Sequence, residues 1–502
     1  MTTMVSPLRR ACRVAADATA VVCGDVRLSY ISTWERAGRL VRALKTLGVG
    51  DGERVAVVGP NCHRYLELYQ AVPGAGMVIV PLNQRHTTAE LRYALEDSGA
   101  RVLFTARDPE EFTGAVEHVI DMGDGYEKLL AGGADDFPDD LPESTLAGLF
   151  YTGGTTGAAK GVMLTHRNLL ANAMHFQAFC PFTEETRWLI AAPLFHAAGS
   201  IAVLATVWNA GQHVVLPAFD AGAALDLIEA HGITATLVVP TMLAAMSEEQ
   251  AVRPRNVSTL RYICHGGSPS ATETLRRAHM MFPFAQLVHI YGATETAPIA
   301  TVLTHEELVL DTALARSCGR PAVGVDVEVV APDGTAAPAG VVGELVIRGP
   351  NVMAGYWNKP SETAAALADA WYRSGDLGYQ DERGFIFLVD RARDMIVTGG
   401  ENVYSTEVED VLYRHPAVLE AAVFGIPDQR WGEAVHAVVV ARSDVSGDDL
   451  LAHCRTVIAA YKVPKSIEFR IEPLPKSGAG KVLKRELRES YWEGVSNRVA
   501  GG

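Results

Sequence analysis

The sequence predicts an α/β protein: a large N-terminal domain of doubly wound α/β subdomains plus a small β-rich subdomain, then a small mobile α+β C-terminal domain. Three observations carry this expectation. Short apolar runs ending in Gly or Pro alternate with segments of helical spacing, the chain becomes turn-rich near residue 318, and shorter elements follow from residue 393. We therefore expect an N-terminal domain over 1–390, a hinge over 391–394 and a C-terminal domain over 395–502.

Alternating strands and helices form the first part of the prediction. The expected strands are RVAVVGP (54–60), MVIVPLN (77–83), RVLFTA (101–106), TATLVVP (234–240) and LRYICHGG (260–267). The segments of helical spacing between them are 88–99, 221–232 and 269–282. Strands joined through helices form parallel sheets by right-handed crossovers, and ligands gather at the carboxyl ends of such strands.

The remaining elements follow in order. Between 318 and 390 the runs VDVEVVAPDG, GELVIRGP and GFIFLVDR indicate β-hairpins. The C-terminal domain is predicted to contain a helix at 405–415, strands at 422–427 and 434–441, a second helix, and a strand at 466–471. The acidic, Gly-rich stretch 121–143 is typical of a solvated surface connection. The uncharged stretch 189–211 is predicted to be a buried helix after a loop rather than a membrane span, because Pro and polar residues interrupt it.

Composition bounds the class of protein. The chain has 502 residues, 48% of them hydrophobic, and a formal net charge of −15. This acidic balance argues against a nucleic-acid partner, because wrapping phosphates requires many cations. The seven cysteines lie far apart, without paired zinc spacing, which favours a reducing cytoplasm. We expect no secretion signal and no transmembrane segment, and hence a large cytoplasmic enzyme.

The densest chemical signal is the segment Leu149 to Gly161, where a strand-like run enters a loop rich in Gly and Thr and containing Lys160. Glycines let backbone N–H groups approach phosphate oxygens, threonine hydroxyls donate, and a lysine neutralises charge. The segment is therefore predicted to cradle an anion. A P-loop is excluded, because Ala159 precedes the lysine and Gly161 follows it.

Three further segments carry polar groups after strands or in loops. HIYGATE (289–295) brings an aromatic ring, a hydroxyl and a carboxylate together, WYRSGD (371–376) ends in a carboxylate after Gly, and PKSGAGK (475–481) presents a lysine near the C-terminus. Taken alone, each is better explained as an ordinary strand end, turn or solvated loop than as a functional site. Their order and spacing along one chain are what point to a common function.

In that order the motifs resemble those of the adenylate-forming superfamily, which contains acyl- and aryl-CoA synthetases, luciferases and the adenylation domains of peptide synthetases. The resemblance runs from Pro81 to Lys481 and includes GELVIRGPNVMAGYWNKP (343–360), RSGDLG (373–378) and DRARDMIVTGGENVYSTEVE (390–409). It implies that a carboxylate and MgATP give an acyl-adenylate and pyrophosphate, after which a thiol displaces AMP. The implied cofactors are ATP, Mg²⁺ and coenzyme A as co-substrate.

The resemblance also implies a role for each matching residue. Glu295 is expected to bind Mg²⁺, Thr294 to face phosphate, and Lys481 to reach the carboxylate and the α-phosphate during adenylation. Asp376 is expected to bind the ribose hydroxyls, with Arg391 nearby. The expected phosphate loop contains Thr152, Gly153, Gly154, Thr155, Thr156, Gly157 and Lys160. The expected adenine surroundings are Gly266, Gly267, Ser268, Tyr291, Gly292 and Ala293.

After adenylation, the resemblance implies that the small domain rotates about its hinge and presents Gly399, Gly400 and Glu401 to the thiol channel. Three positions depart from the family pattern. Gly153 replaces the usual Ser of the loop, Ala159 replaces the usual Pro before the loop lysine, and Arg393 stands where the hinge usually has Asp or Lys. None of these removes a group that the chemistry requires.

The acid substrate is predicted from the segment around His196, which matches the family's acyl channel. The resemblance implies that His196 is a catalytic residue that gates the approach of the thiol. Relatives that activate amino acids place Asp at this position, so an α-amino acid is disfavoured. The apolar neighbours favour a medium- or long-chain fatty acid, with an aromatic or cinnamate-type acid as the alternative. A carrier protein is the alternative thiol acceptor, a non-catalytic nucleotide or lipid sensor is the rival class, and a homodimer is left open.

Overall fold

A computed structural model gives the fold of residues 2–152, 159–268, 270, 272–391, 394–399, 401–428, 430–476 and 482–493, with the side chain of Arg391 outside the description. These residues form four β-sheets flanked by helices. Within these ranges no helix is long and apolar enough to cross a bilayer.

The strands are numbered in chain order. They are β1 (Thr19–Cys23), β2 (Val26–Ser29), β3 (Arg54–Val58), β4 (Val78–Leu82), β5 (Ala100–Thr105), β6 (His118–Asp121), β7 (Leu146–Thr152), β8 (Lys160–Thr165), β9 (Arg187–Ile190), β10 (Gln212–Val215), β11 (Ala235–Val238), β12 (Tyr262–Gly266), β13 (Gln286–Tyr291), β14 (Thr301–Leu303), β15 (Arg320–Pro321), β16 (Asp326–Val330), β17 (Gly343–Arg348), β18 (Gly355–Tyr356), β19 (Leu367–Ala368), β20 (Trp371–Gln380), β21 (Ile386–Arg391), β22 (Ile396–Thr398), β23 (Glu401–Val403), β24 (Val418–Asp428), β25 (Gly432–Ala441) and β26 (Ser466–Arg470).

The helices are numbered in the same way. They are α1 (Ser6–Ala15), α2 (Tyr30–Thr46), α3 (His63–Gly74), α4 (Thr88–Ser98), α5 (Asp124–Leu129), α6 (His166–Phe179), α7 (Ala197–Ser200), α8 (Val203–Trp208), α9 (Ala221–His231), α10 (Pro240–Val252), α11 (Thr272–Met281), α12 (Pro360–Ala366), α13 (Ser405–Tyr413), α14 (Gly447–Val457) and α15 (Lys484–Trp492). Short 3₁₀ turns lie at Pro109–Phe112, Thr294–Thr296 and Ala313–Arg316.

Two large sheets build the N-terminal domain. The first has the order β15-β14-β13-β12-β11-β9-β10-β1-β2, and its six strands from β13 to β1 run parallel. The second has the order β18-β8-β7-β4-β3-β5-β6, with β7, β4, β3, β5 and β6 parallel. Strands such as β4 are buried along their whole length, as expected of parallel strands covered on both faces.

Two smaller sheets complete the chain. β16, β17, β20, β19 and β21 form an antiparallel sheet that ends the N-terminal domain. β23, β22, β25 and β24, with β26 parallel to β25, form the C-terminal sheet against which α13 and α15 pack. A large α/β domain is thus followed by a smaller α+β domain, which confirms the predicted fold class.

The predicted elements can be compared with these bounds. The five apolar runs coincide with β3, β4, β5, β11 and β12, and the segments of helical spacing coincide with α4, α9 and α11. The stretch 189–211 begins in a strand and then forms the two short helices α7 and α8, which lie in the core. The prediction of one helix there was wrong, because the helical backbone is interrupted at Ile201 and Ala202, where Ala202 has φ −103° and ψ 0°, so that two short helices form.

The stretch 121–143 also differs from the prediction of a solvated connection. It contains α5, and two of its aromatic side chains, Tyr126 and Phe137, are buried. The Tyr126 hydroxyl donates to Glu67 Oε2 at 2.7 Å, and Phe137 packs against Trp34 with ring centroids 4.9 Å apart. Composition predicted that this stretch is exposed, because its acidic and glycine residues outnumber the two aromatic residues that attach it to the core.

Candidate active site

The predicted phosphate loop begins and ends on an antiparallel hairpin. β7 ends at Thr152 and β8 starts at Lys160, and these two residues are paired opposite each other in the sheet. The hairpin therefore fixes where the chain enters and leaves the loop. Of the loop residues predicted to bind phosphate, Gly153, Gly154, Thr155, Thr156 and Gly157 lie outside the described residues.

The predicted adenine site lies where β12 and β13 end side by side. Gly266 is paired with Ile290, and a Cβ added to Gly266 would stand 2.0 Å from the Ile290 carbonyl oxygen. A Cβ on Gly292 would stand 2.0 Å from the Pro298 carbonyl oxygen. Both positions therefore require glycine because backbone passes too close for any side chain. Gly267 and Ser268 follow on the same edge, where Gly267 is exposed.

Tyr291 and Asp376, which are predicted to contact adenine and ribose, meet in the structure. The Tyr291 hydroxyl donates to Asp376 Oδ2 at 2.8 Å, and both residues are buried. Burial raises the pKa of the Tyr291 phenol, and the neighbouring Asp376 carboxylate raises it further. The phenol therefore stays protonated and remains the donor. The backbone N–H of Asp376 in turn donates to Ser374 Oγ at 3.1 Å, which fixes the main chain that carries the carboxylate.

Glu295, the predicted magnesium ligand, lies on the 3₁₀ turn Thr294–Thr296 beyond β13. The Tyr356 hydroxyl donates to Glu295 Oε1 at 2.8 Å. Within the turn, Ala293 N–H donates to Thr296 Oγ1 at 3.0 Å. The turn thereby holds Thr294 and Glu295 at the carboxyl edge of the sheet, beside the ends of β12 and β13.

Tyr356, which the sequence did not predict as a site residue, contacts both the predicted magnesium ligand and the predicted phosphate-binding lysine. Tyr356 contacts Glu295 through its hydroxyl, and Lys160 Nζ lies 5.1 Å from the centroid of its ring. Tyr372 is buried nearby, and burial together with the charge of Glu295 raises the pKa of the Tyr372 phenol. Tyr356 lies within the family-like segment 343–360, so the resemblance marked the region without assigning the residue a role.

The residues present fit magnesium as a partner of bound phosphate. Magnesium prefers oxygen ligands and is held by one or two carboxylates together with substrate phosphates. Glu295 supplies one such buried carboxylate beside the lysine at the start of β8. In the part of the chain that the structure describes, no group of three or more His, Cys, Asp or Glu side chains could hold a metal by itself. This donor set suits a metal that arrives with a nucleotide.

His196, predicted to lie at the acyl channel, precedes α7 and packs its ring against Phe195, with centroids 4.6 Å apart. Its Nε2 is buried and has no hydrogen-bond partner among the described residues. Burial, aided by the positive charges of His86 and Arg85, lowers the pKa of His196 to about 4. The imidazole is therefore neutral at physiological pH.

A small cavity lies beside α7 and α8. It measures about 10 Å³, which is room for one water, and is lined by Tyr69, Asn172, Ser200, Ile201 and Ala297 among others. Ala297, which directly follows the Glu295 turn, is one of the lining residues. The surrounding side chains are mostly apolar.

Two of the C-terminal candidates lie at the paired strands β22 and β23 of the smaller domain. Gly399 ends the turn after β22, where its N–H donates to the Trp431 carbonyl oxygen at 2.8 Å, and Glu401 is exposed at the start of β23. Gly400 and Lys481, and the side chain of Arg391, lie outside the described residues. The predicted roles of these five residues in thiol access, ribose binding and adenylation stay predictions.

The two domains are connected by polar contacts on either side of the predicted hinge. Ser405 N–H, at the start of α13, donates to Asp390 Oδ2 at 2.5 Å. Arg316 of the N-terminal domain lies 3.3 Å from Asp410, and Glu248 lies 3.8 Å from Arg442. These exposed or half-exposed ion pairs are worth little individually.

Comparison with known proteins places this site in a family. A family model described as AMP-binding enzyme matches residues 8–357, and one described as AMP-binding enzyme C-terminal domain matches residues 407–481. The chain therefore belongs to the AMP-binding enzyme family, and it is an adenylate-forming enzyme. The resemblance found in the sequence is confirmed.

Individual relatives and structures cover nearly the whole chain. A feruloyl-CoA synthase from Amycolatopsis sp is 42% identical over 97% of this chain and 98% of its own length. The fatty acid–acyl-carrier-protein ligase ScoC from Streptomyces coeruleorubidus is 37% identical over 96% and 95%. The structure of o-succinylbenzoate CoA synthetase (MenE) from Bacillus subtilis with its acyl-adenylate intermediate superimposes with a TM-score of 0.88 at 30% identity, covering 100% of both chains.

Proposed function

We propose that this enzyme is an AMP-forming acid–CoA ligase. The acid carboxylate attacks the α-phosphorus of ATP, the bond to the leaving pyrophosphate breaks, and an acyl-adenylate forms. The thiol of CoA then attacks the acyl carbonyl, and AMP leaves. The observation that carries the proposal is the meeting of Tyr291 with Asp376 and of Tyr356 with Glu295 at one edge of the first sheet, close to where β8 begins.

Each group has a task in this proposal. Tyr291 packs against adenine and holds Asp376, whose second oxygen accepts from the ribose hydroxyls. Thr152, Thr294 and Lys160 bind the phosphates, and Lys160 neutralises charge that grows on the leaving pyrophosphate. Glu295 holds magnesium, which supplies positive charge at the phosphate oxygens. Lys481 reaches the carboxylate and the α-phosphate from the smaller domain, and Gly399, Gly400 and Glu401 border the thiol channel after rotation about residues 391–394.

The acid proposed is an aryl acid of the hydroxycinnamate type. The similarity to a feruloyl-CoA synthase over 97% of the chain supports an aryl acid. A medium- or long-chain fatty acid, favoured by the apolar residues in the sequence analysis, is the second candidate. It is supported by the similarity to a fatty acid ligase that loads an acyl carrier protein.

A panel of acids tests the proposal. Cinnamate, 4-hydroxycinnamate, ferulate, octanoate and palmitate are each supplied with MgATP, and pyrophosphate release is measured; the active acids are then offered CoA or a holo-carrier protein. We expect release with the hydroxycinnamates above all, and a thioester with CoA. A preference for palmitate would show that the acid is a fatty acid and not an aryl acid. Transfer only to the carrier protein would show that the carrier protein, and not CoA, is the thiol acceptor. Absence of acid-dependent pyrophosphate release would overturn the ligase and support a nucleotide sensor.

A further inference from the structure

One segment binds both sides of the candidate phosphate site. We call residues 349–357 the strap. At one end, Asn351 Nδ2 donates to the Thr296 carbonyl oxygen at 2.8 Å, and Met353 N–H donates to the Glu295 carbonyl oxygen at 2.8 Å. At the other end, Trp357 N–H donates to the Gly161 carbonyl oxygen at 2.8 Å. The strap therefore joins the Glu295 turn to the strand that begins at Lys160.

Within the strap, Tyr356 makes side-chain contacts in both directions. Its backbone pairs with Val162 on β8, and because Lys160 lies two residues before Val162, the lysine side chain stands on the same face of the strand. Lys160 Nζ lies 5.1 Å from the Tyr356 ring centroid, within range of a cation–π contact. The hydroxyl at the far end of the ring donates to Glu295 Oε1 at 2.8 Å.

These contacts act on groups that must be placed accurately. A carboxylate that ligates a metal is oriented by the donors to its other oxygen, and losing such a donor typically weakens metal binding about 10- to 100-fold. A lysine side chain is flexible, so a ring face that holds its ammonium group lowers the conformational entropy that the side chain loses on binding phosphate. Because Tyr356 contacts both the Glu295 carboxylate and the Lys160 ammonium group, it couples the positions of these two groups.

We propose that Tyr356 is a positioning residue that holds the Glu295 carboxylate and the Lys160 ammonium in the mutual arrangement needed by the polyphosphate and metal of MgATP. This inference rests on the proposed function, because it assigns Glu295 and Lys160 to that ligand. In this proposal Tyr356 acts through its contacts with Glu295 and Lys160.

Two substitutions separate its contacts. Tyr356→Phe removes the hydroxyl that Glu295 accepts and keeps the ring under Lys160, whereas Tyr356→Leu removes both. Binding of ATP to the full chain is measured by calorimetry without acid, once with Mg²⁺ and once with EDTA, and binding of Mn²⁺ in the presence of ATP is followed by electron paramagnetic resonance. These readouts report nucleotide and metal binding, not turnover.

Mg²⁺ should strengthen ATP binding to the wild type, and in Tyr356→Phe we expect this gain in affinity to be smaller by a factor of about ten or more. The affinity for ATP in EDTA should stay unchanged within twofold. Tyr356→Leu should lose the same gain and also bind ATP about two- to fivefold more weakly in EDTA. The matched control is Tyr126→Phe, which removes a buried tyrosine–glutamate hydrogen bond of 2.7 Å outside the candidate site. It should leave both affinities unchanged.

The outcomes distinguish the inference from the proposed function. If Mg²⁺ strengthens ATP binding equally in the wild type and in Tyr356→Phe, the inference is wrong while the proposed function stands. Equal weakening of Tyr356→Phe with Mg²⁺ and with EDTA would indicate a merely structural role and would overturn the inference as well. If the wild type gains no ATP affinity from Mg²⁺, the proposed function is overturned, and the inference with it.

Discussion

The Tyr291 hydroxyl donates to Asp376 Oδ2 at 2.8 Å, although the two residues are 85 positions apart and belong to different sheets. Tyr291 ends β13 of the parallel sheet, and Asp376 lies on β20 of the antiparallel sheet. The contact shows how the β-rich part of the N-terminal domain serves the site: it brings a carboxylate to the carboxyl edge of the parallel sheet, where ligands of such sheets bind.

The first prediction follows from that contact. Asp376→Ala should raise the KM for ATP about tenfold or more, because the ribose hydroxyls lose a charged acceptor. Tyr291→Phe keeps the ring and removes only the donor to Asp376, so we expect a smaller rise, about two- to fivefold. Steady-state kinetics at saturating acid measures both. A larger effect of Tyr291→Phe than of Asp376→Ala would contradict the assigned roles.

The two half-reactions give the second prediction. Lys481→Ala should slow acyl-adenylate formation about 100-fold or more, because a charge that stabilises the transition state is lost. Thioester formation from a chemically prepared acyl-adenylate should change much less, because the lysine is expected to act in the first step only. Each half-reaction is measured alone by rapid quench. Equal losses in both would show that the lysine supports the fold or both steps.

Backbone crowding at Gly266 leads to the third prediction. A Cβ there would stand 2.0 Å from the Ile290 carbonyl oxygen, so Gly266→Ala must displace β13 at the candidate adenine site. We expect a loss of about 1–3 kcal/mol in stability and a clear loss of ATP affinity, measured by calorimetry. Gly132→Ala is the control, since no atom of the described residues lies within 4 Å of its added Cβ. Similar behaviour of the two variants would contradict the packing at this edge.

The fourth prediction concerns pH. Burial lowers the pKa of His213 from an ordinary value of 6.5 to about 4. Between these values the unfolded chain binds a proton that the folded chain does not, so stability present above pH 6.5 is lost as the pH falls towards 4. By this linkage His213 accounts for about 2 kcal/mol of the stability that is lost between pH 7 and pH 5.

Substitution isolates that contribution. His213→Leu should lose about 2 kcal/mol less than the wild type between pH 7 and pH 5 in urea unfolding, whatever its stability at pH 7. His279→Gln, at an exposed position, is the control and should follow the wild type. If His213→Leu and the wild type lose the same stability over this range, the imidazole is not buried in its neutral form.

Strong local patterns explain which features the sequence could predict. The strands β3, β4 and β5 are continuous apolar runs bounded by turn residues, and Tyr291, Glu295 and Asp376 each belong to a motif with its own residue types. These features are local, so they can be read without the fold. The same holds for α4, whose Thr87 and Glu90 form a capping box.

Tyr356 could not be predicted in this way. It lies on β18, a strand of two residues, and its partners Glu295 and Lys160 are 61 and 196 positions away. No periodicity marks so short a strand, and a tyrosine is as common in cores as in sites. Its position follows only from the pairing of β18 with β8, which is a tertiary contact. The buried aromatic anchors of the stretch 121–143 escaped prediction for the same reason.

The central claim is that the enzyme cleaves ATP between the α- and β-phosphates and joins AMP to an acid. The most direct test is to incubate the protein with 4-hydroxycinnamate and MgATP without CoA and to analyse the products by mass spectrometry. We expect the acyl-adenylate and pyrophosphate in equal amounts, and conversion of the acyl-adenylate to AMP and the CoA thioester once CoA is added. Release of ADP and phosphate would contradict this cleavage of ATP, and so would the formation of as much AMP without an acid as with one.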